Sequence, residues 1–154
     1  MMRNIRGVGE MRKYELYLIE EIFATYFYGR ERKFFNLFKE HSESENELKE
    51  ITGKQIKYIT KPIPTIRLHT QLIHQFQHRS DFFFQKGHYM IKTKNSEANL
   101  QIFQRNLSLM ATGYLEAEDT LMNALRKTEF NFFAIDIENE QYGWIKPIKF
   151  RKYI

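Results

Sequence analysis

The period of the hydrophobic pattern changes along this chain, and the order of those changes constrains the fold more than any other feature. Residues 13–19 (KYELYLI) alternate, with Tyr14, Leu16 and Leu18 on one side, as a half-buried strand does. From Glu20 to Tyr28 the spacing turns helical, with Phe23 and Phe27 four apart. Gly29 stands where a helix C-cap calls for left-handed backbone, which glycine adopts at little cost. A second helix is predicted over 31–40 on Phe34, Phe35, Leu37 and Phe38, followed by a polar loop at 41–46 (HSESEN). Residues 47–60 are helical but divided at Gly53, so that KQIKYIT starts afresh with Gln55, Ile56, Tyr58 and Ile59 on one face. Pro62 and Pro64 stop that helix, because proline lacks an amide donor and restricts its predecessor.

A further helix is predicted over 65–79 from the spacing of Ile66, His69, Leu72, Ile73 and Phe76. Alternation returns at 89–94 and 99–111 around a turn near Asn95-Ser96, with Leu100, Ile102, Leu107 and Leu109 as half-buried strand residues. Residues 114–127 form a helix with Leu115, Leu121, Met122 and Leu125 as its stripe. Acidic residues come early and Arg126 and Lys127 late, matching the helix dipole. Residues 130–137 and 142–148 form a hairpin closed by ENEQ, with Pro147 at a strand end. The order is strand, helices, strands, helix, hairpin. It implies a single compact α/β domain over 11–154, with one mixed β-sheet covered by helices. Residues 1–10 lack periodicity and are expected to be a disordered extension, or residues ahead of a natural start at Met11.

Composition matters chiefly for what it excludes. With no cysteine among 154 residues, disulfide scaffolds, thiolate-ligated zinc and cysteine nucleophiles are ruled out. No apolar run reaches the roughly 18 residues of a membrane span, and no secretory leader is visible, so a cytoplasmic protein is expected. Fourteen Phe and nine Tyr exceed what a plain core of this size needs, and point to an aromatic surface as well.

The search for chemistry finds little. Gly7-Val8-Gly9 has neither a preceding strand nor a suitably placed lysine for a phosphate loop. His74 and His78 are four apart, but Gln75 stands where the metalloprotease pattern has glutamate and no cysteine can join them, so a solvated helix face accounts for them. None of Ser42, Ser44, Ser80, Ser96 or Ser108 lies in a nucleophile motif. No enzyme, cofactor, metal or small-molecule substrate is expected. The formal charge of +5 and the basic, aromatic mixtures KYELYLI and KPIKFRKYI leave one alternative, a small basic DNA-binding regulatory protein.

Three blocks carry a family resemblance. They are YLIEEIFATYFYGRE at 17–31, KQIKYITKPIP at 54–64, and YLEAEDTLMNALRK at 114–127 continuing into FFAIDIENEQYGWIKPIK at 132–149. Their order and internal spacing resemble the sporulation inhibitor of replication protein family of Bacillus relatives, with 68–112 only weakly similar. The resemblance implies a binder of the N-terminal domain of the replication initiator DnaA that inhibits initiation as cells commit to sporulation. It further implies a binding face on the first helix and on the helix before the paired prolines. Carried onto this chain, that face comprises Phe23, Phe27, Gln55 and Tyr58. Phe27 departs from the family pattern, which has tyrosine there. The crowding of Ile22, Phe23, Tyr26, Phe27 and Tyr28 around one short helix requires that some of these rings face solvent.

Overall fold

In the computed structural model, which describes residues 10–148, the alternating segment at 13–19 falls in an interior strand of one sheet. The elements in chain order are β1 (Arg12–Ile19), α1 (Glu21–Tyr26), α2 (Arg32–Glu43), α3 (Asn46–Ile59), β2 (Thr60–Lys61), α4 (Thr65–Phe76) and β3 (Phe82–Gln85). There follow β4 (His88–Lys92), β5 (Ser96–Ile102), β6 (Leu107–Gly113), α5 (Glu116–Arg126), β7 (Phe133–Asp136) and β8 (Gln141–Trp144). The sheet order is β3-β4-β5-β6-β1-β7-β8, with β2 pairing the end of β1. Residues 1–9 of the expected extension at 1–10, and residues 149–154 of the basic tail at 146–154, lie outside the described residues.

The expected class is borne out: helices cover one sheet within a single domain. Every described ladder is antiparallel, however, where a mixed sheet was expected. β3 to β6 form a meander joined by short turns, and short turns can connect only antiparallel neighbours.

Alternation along β1 divides its side chains between two apolar clusters. Tyr14, Leu16 and Leu18 join Leu68, Leu72 and Phe76 of α4 and Leu121, Met122 and Leu125 of α5 on one side. Tyr17, with Phe133 and Ile135 of β7, joins Phe34, Phe35 and Phe38 of α2 and Ile59 of α3 on the other. Helices α1 to α3 therefore sit over the β1-β7-β8 end of the second face.

Local expectations fail in instructive places. α2 runs to Glu43 rather than stopping at Glu40, which leaves only Ser44 and Glu45 before α3. Gly53 does not divide α3, which is continuous from Asn46 to Ile59. Its missing side chain lets His41 of α2 approach, since a Cβ there would lie 3.3 Å from His41 Cε1. The neighbouring Thr52 hydroxyl is bonded to His41 Nδ1 at 2.8 Å. Interhelix contact thus outweighs the roughly 1 kcal/mol that a helical glycine costs. α4 ends at Phe76 and buries Leu68, Leu72 and Phe76, while Ile66 of the expected stripe is 83% exposed. β3 was not anticipated, because its three consecutive phenylalanines show no alternation.

Candidate protein-docking face

The two helices named by the sequence reading are joined at one end. Glu20 N–H donates to the Ile59 carbonyl at 2.8 Å, linking the entry of α1 to the exit of α3. Arg105 steadies that exit by donating to the carbonyls of Lys57 at 3.0 Å and Thr60 at 2.8 Å. A cation at a helix C-terminus also complements its dipole. The Thr60 hydroxyl donates to the Ile56 carbonyl at 2.7 Å, satisfying another group of the last turn.

On this frame Phe23 and Tyr58 meet edge to face, with ring centroids 5.2 Å apart. Phe23 is half-buried against the α1–α3 cluster, whereas Tyr58 is 74% exposed. Gln55 is exposed one turn before Tyr58 on the same side of α3. Phe27, at the C-cap of α1, is half-buried with its ring 5.3 Å from that of buried Phe34. It acts more as a root for α1 than as a free anchor. The rings that α1 turns to solvent are those of Tyr26 and of Tyr28 just beyond it, with Ile22 beside them. Gly29 adopts φ +80°, the left-handed turn expected after this helix.

Two further residues extend the face. Leu48 and Ile51 are exposed, and 48, 51, 55 and 58 follow one another at spacings of three, four and three, so they form one stripe along α3. Thr52 and Ile59 point the other way and are buried. The signal was present as an apolar repeat before Gln55, but treating Gly53 as a break cut the stripe in half.

The remaining candidates are placed elsewhere or absorbed. Tyr14 is buried and Tyr17 stacks on Phe38 at 4.3 Å, so the rings of KYELYLI serve the core and are not available to bases. His74 lies in α4 and His78 beyond its end; among the described residues no three metal-capable side chains cluster. Burial raises the pKa of the Glu15 carboxylate against the pull of Lys13. Asn106 donates to it at 2.7 Å, and Ser108 bonds it as well. That set holds the carboxylate in place between β1 and β6.

A family model described as sporulation inhibitor of replication protein SirA matches residues 12–149. The chain belongs to the SirA family. The sporulation inhibitor of replication protein SirA of Bacillus subtilis (strain 168) is 32% identical over 149 residues, covering 93% of this chain and 99% of that protein. The match to SirA spans every element described above, α1 and α3 included. No described helix is long and apolar enough to cross a membrane.

Proposed function

We propose that this chain inhibits DNA replication during sporulation by docking its α1–α3 face on the N-terminal domain of the initiator DnaA. The observation that carries the reading is Tyr58. It is a large ring standing 74% exposed, braced by Phe23 from a second helix and continued along α3 by Gln55, Ile51 and Leu48. A braced aromatic loses little conformational freedom on binding, which suits it to be an anchor. Membership of a family of replication inhibitors supports the direction of the effect. The mechanism is occlusion. A protein covering that domain hinders the contacts it makes with itself and with helicase-loading partners, and no bond need be made or broken. An interface of ordinary size would bury about 800 Å² on each side.

Calorimetry of the full chain with the isolated N-terminal domain of DnaA, at two salt concentrations, tests this. Tight binding with weak salt dependence is expected of an apolar interface. No binding to DnaA, together with DNA binding that falls steeply as salt rises, would replace this reading with the DNA-binding one.

A further inference from the structure

At the end of the sheet away from β8, β3 is the outermost strand, and no described strand pairs with its outer side. Edge strands are usually blunted by lysine, proline or a bulge. β3 reads FFFQ in unbroken register with β4 and has none of these. Phe83 and Phe84 are 52% and 45% exposed. Its free hydrogen-bonding groups can be assigned. Lys92 N–H donates to the Asp81 carbonyl at 3.0 Å, so by antiparallel alternation Phe83 and Gln85 direct their backbone groups toward β4. Phe82 and Phe84 direct theirs outward.

The side chains alternate as well. Phe82 stacks on Phe76 of α4 at 4.7 Å, and the Phe84 ring lies 4.9 Å from that of His69, also on α4. Phe83 points to the opposite face, in register with Met90, Asn99 and Met110. Above the edge, Ile66, His69 and Ile73 follow one another along α4 at spacings of three and four. A strand added outside β3 would therefore gain backbone partners below and an apolar roof from α4. It would itself need to be uncharged, aromatic and free on one edge. β3 of a second copy is such a strand.

We propose that two copies of this chain pair β3 to β3, antiparallel, about a two-fold axis at Phe83. This register sets Phe83 opposite its own copy on the open face and Phe82 opposite the copy's Phe84 beneath α4. The outward groups of Phe82 and Phe84 then satisfy one another across the axis. The contact is isologous and closes on itself, so it makes a dimer and no fibre. α4 carries no acidic side chain and no lysine, and its one arginine, Arg67, is paired with Glu129. The α1–α3 face lies at the other end of the sheet and stays open in both copies.

Sedimentation of the full chain over a range of concentrations, up to millimolar, should show a monomer–dimer equilibrium. Phe83→Lys places like charges directly opposite each other. It should weaken the dimer about tenfold or more while leaving the far-ultraviolet spectrum and thermal midpoint unchanged. The absence of native cysteine permits a sharper measurement. Phe83 occupies a non-hydrogen-bonded pair, where opposed Cα atoms lie about 4.5 Å apart, within disulfide reach. Phe83→Cys should therefore oxidise to a covalent dimer. Met110→Cys, three strands or about 14 Å inward on the same face, should not. A chain that stays monomeric at every concentration overturns the proposal. So does a dimer indifferent to Phe83→Lys, or equal cross-linking at the two positions.

Discussion

Phe23 and Tyr58 touch edge to face at 5.2 Å, and the contact joins a half-buried ring on α1 to a 74% exposed one on α3. Their substitutions should therefore separate. Tyr58→Ala removes an exposed ring and should leave stability within about 1 kcal/mol, yet weaken DnaA binding by about thirtyfold, or 2 kcal/mol. Phe23→Ala should cost both, because its ring also packs in the α1–α3 cluster. In urea denaturation the two substitutions should couple by about 0.5–1.5 kcal/mol, the worth of an aromatic pair. Strict additivity would mean that the rings are neighbours without interaction.

The stripe along α3 makes a second demand. Ile51 is 53% exposed and Leu48 is 47% exposed, so lysine at either position has solvent to enter. Ile51→Lys, nearer the centre of the stripe, should reduce DnaA binding about tenfold or more, and Leu48→Lys less, with unchanged unfolding midpoints. Equal binding by both variants would shrink the face to its Gln55–Tyr58 end.

Much of this was legible from residue pattern, and the failures share a cause. Strand β1 and helix α5 were readable because alternation in the one, and an acidic start with a basic finish in the other, are local signals. Gly53 misled because local propensity says break, whereas the approach of His41 from another helix says continue. That single reading also hid Leu48 and Ile51, since they belong to the face of Gln55 and Tyr58 only if the helix is unbroken. The pairing of Phe23 with Tyr58 lay beyond any periodicity argument. It depends on Glu20 meeting Ile59, a contact that closes a run of three helices, α1 to α3.

Glycine offers a graded prediction. Gly29, Gly87 and Gly113 all have positive φ, but only Gly113 is also crowded. A Cβ at Gly113 would lie 2.2 Å from the Asn95 carbonyl oxygen, the acceptor for Tyr114 N–H at 3.0 Å. Gly113→Ala must move backbone as well as adopt a left-handed conformation, and should cost more than about 2 kcal/mol in urea denaturation. Gly29→Ala has nothing within 4 Å and should cost about 1 kcal/mol. Equal losses would remove the turn at Asn95-Ser96 as a determinant of the β5–β6 edge.

Glu15 supplies a pH dependence with a definite sign. Burial raises its pKa, only partly opposed by Lys13, Asn106 and Ser108, so the folded chain holds this proton more firmly than the unfolded one. Its contribution to stability is therefore lost as pH rises from the unfolded value of about 4.3 through the raised folded value. Glu15→Gln keeps an acceptor for Asn106 and removes the charge. The variant should exceed the parent in urea midpoint at pH 7 and converge with it below pH 4. A parent that gains stability relative to Glu15→Gln as pH rises would reverse the sign.

Arg12 and Glu118 bear on how α5 is held to β1. Their side chains are 2% and 0% exposed, and Arg12 Nε donates to Glu118 Oε1 at 2.7 Å. The Tyr14 hydroxyl donates to the other carboxylate oxygen at 3.2 Å, and Arg12 Nη2 reaches the Tyr114 carbonyl at 3.3 Å. Of the three acidic residues in the first turn of α5, Glu118 is the one turned inward. Glu118→Ala leaves the Arg12 cation buried without its carboxylate and should cost about 3–5 kcal/mol. Arg12→Met combined with Glu118→Leu removes both charges and fills most of the space. It should therefore be less destabilised than either single alanine variant, because desolvating two ions offsets much of what their attraction returns. If the double variant is instead destabilised as much as Glu118→Ala or more, the ion pair contributes more to stability than apolar packing in its place returns. Orientation of α5 would then rest on charge more than on the Leu121, Met122 and Leu125 stripe beneath it.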